Sequence, residues 1–246
     1  MCTLSWKPTA EGYLLHFNRD EQRTRPPALP PALRRHNGVD FLAPIDAAHG
    51  GTWLLTNAHG LSIGLLNHYP ATPLSPAKKR ASRGLLPLAC SDCTSAAEAV
   101  GRCAGLPLTD YPPFHFVAID LRVAARLTWD GHAPRIDWLD PAGAMLTTSS
   151  FQPDLIARAR HTVFTQQLGD IADATPAQLE AFHRHRGDDP AASVRMARID
   201  ACTHNISRIV VSRENTRFSY EPQPDLPPAG PCITLDLPLR LFETAR

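Results

Sequence analysis

The chain has 246 residues, 25 Lys and Arg against 24 Asp and Glu, and 43% hydrophobic content. A net charge of +1 gives no reason to expect a nucleic acid or an acidic surface as partner, and no apolar run approaches the ~18 residues of a membrane helix. Length and apolar content suit one domain, 1–246, with a sizeable core; Lys7 and Glu11 interrupt any signal-peptide pattern, so the chain reads as cytoplasmic.

Residues 3–6 and 13–17, separated by Pro8 and Gly12, predict a first hairpin. Residues 53–56 and 61–66 flank Asn57-Ala58-His59-Gly60, a second hairpin connection. Ser95-Ala96-Ala97-Glu98 has the form of a capping box opening a helix to about Cys103. Residues 114–119 read as a buried strand, followed by 123–129 across a short turn. Residues 154–167 read as helix. Thr175-Pro176-Ala177-Gln178 opens another helix to about His185, with Pro at the first helical position. Residues 206–212 and 216–220 predict a late hairpin, and 233–239 a last strand. The 24 prolines, about twice ordinary usage, fall mainly between apolar runs, as turns require. Many strands with few helical blocks give an α+β layered sandwich rather than a repeated βαβ pattern, and no solenoid repeat is present.

Cys2 stands directly after Met1. Once Met1 is removed, one residue carries both a thiol nucleophile and a free α-amine, and the amine can serve as the base. An α-amine titrates near ~7.7–8.0, suited to that work at neutral pH. The plain alternative is a small hydrophobe that happens to follow the start. The other cysteines are Cys90, Cys93, Cys103, Cys202 and Cys232. Cys90-Ser91-Asp92-Cys93 has zinc or redox spacing but no second pair, so these are read as helix-end cysteines, and no metal or cofactor is expected.

Met1-Cys2-Thr3-Leu4, then Tyr13-Leu14-Leu15-His16-Phe17-Asn18-Arg19-Asp20-Glu21, Arg25-Pro26-Pro27, Gly50-Gly51-Thr52-Trp53-Leu54 and Gly60-Leu61-Ser62-Ile63-Gly64-Leu65-Leu66-Asn67 occur in this order. The ordered set resembles the NRDE family, also called the transport and Golgi organisation protein 2 family. The resemblance implies an N-terminal-nucleophile hydrolase fold: a four-layer αββα sandwich, two antiparallel sheets stacked between helices. In the cysteine hydrolases of that fold acting on bile salts and penicillin V, an arginine steadies the thiolate and an aspartate holds the terminal amine. Arg19 and Asp20 resemble these. They are adjacent here, so either a bulge re-aims one or only one faces Cys2. If Arg19 or Arg208 lies by the sulfur, the thiol pKa is expected to fall below ~8.5. Asn67 resembles the oxyanion donor, with a turn-forming role as the alternative. Ser207-Arg208-Ile209-Val210 resembles a strand whose arginine reaches the nucleophile; an edge arginine with a solvated head is the alternative. Thr148 stands where those hydrolases carry an asparagine, a departure from their pattern.

His68 is read as a pocket-rim residue, and Lys78-Lys79-Arg80 with Arg83 as a solvated basic loop that at most meets an anionic substrate group. His183 to Arg186 is read as a cationic helix end. Two function classes remain. One is an amidohydrolase with Cys2, Arg19, Asp20, Asn67 and Arg208 at its site, cleaving a non-peptide carbon–nitrogen bond of a small or lipid-like molecule. The other is a non-catalytic lipid- or haem-handling trafficking module on the same fold.

Overall fold

The computed structural model describes residues 2–70, 81–222 and 230–240. In chain order come β1 (Cys2–Pro8), β2 (Tyr13–Gln22), β3 (Leu29–His36), β4 (Val39–Ile45), β5 (Leu54–Asn57) and β6 (Ser62–Asn67). Helices α1 (Leu85–Ala89) and α2 (Ala96–Ala104) follow, then β7 (Phe114–Ile119), β8 (Ala124–Trp129), β9 (Pro134–Trp138) and β10 (Ala144–Thr148). The chain continues through α3 (Pro153–Leu168), α4 (Pro176–Arg184), β11 (Ala201–Val211), β12 (Asn215–Pro222) and β13 (Ile233–Pro238).

All pairings between these strands are antiparallel. One sheet has the order β10-β1-β2-β11-β12-β13, the other β3-β4-β5-β6-β7-β8-β9. Strand alternation divides the side chains of β1 and β2 between two cores. Leu4, Trp6, Leu15 and Phe17 meet Leu54, Leu66, Val117 and Ile119 between the sheets. Leu14, from the opposite face of β2, packs with Met145 and with Leu168, Leu179 and Phe182 of α3 and α4. The outer face of the second sheet, with Leu55, Ile63 and Phe116, packs on Leu86 of α1 and on Ala99, Val100 and Cys103 of α2. The layers therefore run helix, sheet, sheet, helix, the expected α+β sandwich. Gly64 belongs to this close stacking, since a Cβ there would stand 2.5 Å from the Leu4 Cδ1.

Sequence and structure part at several elements. The β3–β4 hairpin was not predicted, although Asn37 and Gly38 at its turn take the positive φ values, 45° and 80°, of a tight hairpin connection. Pro30 and Pro31 obscure β3, which is tolerated as an edge strand. β9 and β10 are also additional, and β11 begins five residues earlier than predicted. Ser95 caps α2 by accepting from the Glu98 N–H at 3.2 Å, but the Glu98 carboxylate accepts from the N–H and hydroxyl of Thr94, so the reciprocal box is absent. At Thr175 and Gln178 the box is complete.

His183 is not a cation at the end of α4. Its ring is buried; Nδ1 lies 2.8 Å from Asn18 Oδ1 and Nε2 2.7 Å from Ser5 Oγ, and it stacks on His16 at 5.0 Å. Asn18 Nδ2 also donates to the His183 and Val194 carbonyls at 2.8 and 3.0 Å, pinning α4 and the 194 segment to the sheet.

Burial holds His16 down at about 3, helped by Arg208 and Arg184, and keeps His183 well below its ordinary value. An unfolded histidine titrates near ~6.5. Below that pH the unfolded chain takes protons that the native chain refuses, so stability is complete above ~6.5 and is lost as the pH falls toward about 3. At pH ~4.5 His16 alone accounts for about 2–3 kcal/mol. His16→Leu is expected to flatten the decline of Tm between pH ~7 and ~4.5; an equally steep decline in the variant would contradict a neutral His16 as its source.

Candidate active site

Cys2 opens β1, a central strand, with Arg19 of β2 opposite it on one side and Thr148 of β10 on the other. Its side chain belongs to the inter-sheet core and is 8% exposed, at the wall of a cavity of about 600 Å³. Arg19, Asp20, Trp53, Asn67, Tyr69 and Arg83 line the same cavity.

Arg19 and Asp20 diverge as strand neighbours must. Arg19 keeps to the face of Cys2. Its Nη2 donates to Asp46 Oδ2 at 2.9 Å and to Glu21 Oε2 at 3.4 Å, and its guanidinium carbon lies 4.3 Å from the Trp53 ring centroid. Arg25 Nη2 donates to the same Asp46 oxygen at 2.7 Å. Burial works against ionisation of Asp46, but the two arginines outweigh it and hold its carboxyl below the ordinary range. The Asp20 carboxylate turns to the helical face, where Oδ2 accepts from Arg160 Nη2 at 3.1 Å and Oδ1 from Thr203 Oγ1 at 2.7 Å. The β-bulge lies on the partner strand β11, where the pairing register shifts between Thr203 and Asn205 and leaves His204 as the extra residue.

Arg160 of α3 is wholly buried. It spends its planar fork on Thr3 Oγ1 at 2.7 Å, Thr147 Oγ1 at 3.2 Å and Asp20, and its Nε on the Ala192 carbonyl at 3.4 Å. No motif pointed to Arg160; a lone arginine inside a helix carries no signal of its partners.

Asn67 ends β6 in the cavity wall, and its Nδ2 donates to Tyr69 Oη at 3.0 Å. One amide N–H is thus engaged and the other is left over. Thr148, opposite Cys2, has a buried hydroxyl without a hydrogen bond among the described residues, and so has Arg19 Nη1.

Four expectations are corrected. Arg208 does not line the cavity. It pairs with His16 in register, on the sheet face covered by α4, with Glu180 4.0 Å away and its side chain 40% exposed. Arg83 is not in a solvated loop but half-buried in the cavity wall; Lys78, Lys79 and Arg80 lie outside the described residues. The Cys2 thiol is not lowered. Burial pushes it up and the Asp20 charge adds to this, while the positive chain terminus, the Asp20 N–H and Arg19 oppose without cancelling. Arg19 is weakened in this role because Asp46 and Glu21 already neutralise it. His68 packs its ring against His115 at 4.5 Å and does not line the cavity. Cys90, Cys93 and Cys103 are buried under the second sheet, and among the described residues no group of three or more His, Cys, Asp or Glu side chains is placed to hold a metal.

The fold is similar to that of the Caenorhabditis elegans ortholog of N-acylethanolamine-hydrolyzing acid amidase, with TM-score 0.60 and 11% identity over 85% of this chain and 92% of that one. Penicillin V acylase from Agrobacterium tumefaciens gives 0.59 and 11% over 96% and 86%. Conjugated bile acid hydrolase from Clostridium perfringens gives 0.51 and 13% over 96% and 92%. The architecture is therefore that of the N-terminal-nucleophile hydrolases. The pattern of the Transport and Golgi organisation 2 family matches residues 1–172, and the chain belongs to that family. No curated protein matches it in sequence.

With Met1 retained, the iodoacetamide rate at Cys2 is expected to keep rising through about pH 9, the value from which burial raises the thiol. A midpoint below about pH 8 would show that Arg19 prevails over burial.

Proposed function

We propose that the protein is an N-terminal-cysteine amidohydrolase cleaving a non-peptide carbon–nitrogen bond in a small or lipid-like molecule. The observation that carries this reading is the placement of Cys2 on a central strand at the wall of a polar cavity, with Arg19, Thr148 and Asn67 around it. After removal of Met1, the Cys2 sulfur bonds to the amide carbonyl carbon and the thiol proton passes to the α-amine of the same residue. Asn67 donates its remaining N–H to the oxyanion, whose charge develops only in the transition state. Collapse breaks the carbon–nitrogen bond, and the leaving amine takes the proton from the α-amine. Water then attacks the thioester and restores the thiol. The Asp20 carboxylate, engaged by Arg160 and Thr203 on the helical face, fixes the strand end that carries the amine. Arg19 favours the thiolate electrostatically. The hydroxyl of Thr148 supplies a donor of shorter reach than an asparagine amide.

One feature favours a binding module on the same fold: Cys2 is buried, and burial pushes its thiol up rather than down in the chain that retains Met1. The two readings separate by turnover. In a screen of N-acyl amides with the processed protein, Cys2→Ala is expected to abolish cleavage while leaving ligand affinity nearly unchanged. Asn67→Ala is expected to slow acyl transfer by roughly 10²–10³-fold, the scale for one oxyanion donor. Cleavage by Cys2→Ala at the wild-type rate would remove the nucleophile assignment.

A further inference from the structure

The charges around the cavity are equal in number but do not pair off within it. Its lining carries Arg19, Arg25, Arg83 and Arg198 against Asp20, Glu21, Asp46 and Asp200. Arg19 and Arg25 share Asp46 and Glu21, Arg198 pairs with Asp200 at 2.6 Å, and Asp20 is taken from behind by Arg160. Arg83 remains, with no carboxylate partner among the described residues. Its one protein hydrogen bond there runs from Nη1 to the Pro113 carbonyl at 2.9 Å. A guanidinium has five N–H donors, so most of the fork is uncommitted.

The backbone holds Arg83 in this place. Thr52 N–H donates to the Gly84 carbonyl at 2.9 Å, and a Cβ on Gly51 would stand 2.5 Å from the Gly84 carbonyl carbon. Gly51 thus lets the segment before α1 lie directly against the strand entry that carries Trp53. This fixes Arg83 over the cavity and gives the Gly50-Gly51-Thr52-Trp53 motif a physical reason. Burial pulls the Arg83 pKa below its ordinary value, whereas Tyr69, Cys2 and Glu21 are near enough to act in the opposite sense. An anion seated beside it would relieve that cost of burial, and the planar fork matches a carboxylate bidentately.

We propose that Arg83 is the carboxylate-binding residue of this cavity, so that the amide acted on carries a carboxylate a few bonds from its scissile carbonyl. The substrate class rests on the hydrolase reading of Cys2; the anion site does not. The carboxylate can lie on the leaving amine, as in an N-acyl amino acid, or on the acyl part, as in the monoamide of a dicarboxylic acid.

The test is calorimetric binding to full-length Cys2→Ala of three chain-length-matched probes: an N-acylglycine, an N-alkyl monoamide of a dicarboxylic acid, and a neutral N-acylethanolamine. At least one acid is expected to bind roughly tenfold to hundredfold more tightly than the neutral probe, and the one that does identifies the side bearing the charge. Arg83→Gln in that background removes the preference and Arg83→Lys restores part of it. Equal binding of all three probes, or a preference that survives Arg83→Gln, overturns the proposal. A second readout needs no variant. The ratio of iodoacetate to iodoacetamide rates at Cys2 is expected to exceed that at exposed Cys232; an equal or lower ratio also counts against an anion site. If the acids bind with Arg83-dependent preference but wild type cleaves none of the amides, the hydrolase reading fails while the anion site stands.

Discussion

The wholly buried ion pair between Arg160 and Asp20 is the constraint on which the site depends. Two charges taken out of water are tolerated only when their hydrogen-bonding capacity is filled, and removing one partner from such a pair costs about 3–5 kcal/mol. Here Arg160 also reaches Thr3 of β1 and Thr147 of β10, and Asp20 reaches Thr203 of β11. Four adjacent strands and α3 are joined at one end of the sheet, behind the strand position that presents Cys2 to the cavity. Among the described residues, Asn67 bonds to Tyr69 and Arg83 to the Pro113 carbonyl rather than to this pair. It acts by fixing the backbone from which Cys2 and Arg19 project.

The run Asn18-Arg19-Asp20-Glu21 shows how alternation divides labour along one strand. Asn18 and Asp20 face the helical layer, where one ties down α4 and the other receives α3. Arg19 and Glu21 face the other way, toward Cys2 and the cavity, and share a network with Arg25 and Asp46. A shift of one residue in the pairing of β2 would exchange these roles and bury Arg19 against α3. The bulge at His204 lets β11 follow β2 past this point without that exchange.

Much of the fold was legible because its signals are local. The first hairpin, the turn at Asn57 to Gly60, the cap at Thr175 and the apolar run of β7 each depend on neighbouring residues. The elements missed have weaker local signatures: β3 carries two prolines, and β9 is an edge strand with Ile136 and Trp138 exposed. For the site, the placement of Cys2, Arg19 and Asn67 in one cavity was an expectation from the family resemblance that the ordered motifs carry. Arg160, Thr203 and Asp46 were not legible, because their partners lie 140, 183 and 27 residues away in the chain. Arg208 misled because a strand motif does not say which face its arginine takes. Arg83 looked like part of a solvated basic run until the contact between Gly51 and Gly84 placed it.

Cys2 stands at the wall of the cavity, and covalent trapping tests the proposed nucleophile most directly. The processed protein would be mixed with an activated acyl ester and quenched within the first turnover, and the adduct located by intact-mass and peptide mapping. The account predicts one acyl group on Cys2 that forms and decays at the rate of turnover. An acyl group at another residue, or no adduct on a chain shown to have lost Met1, would contradict it.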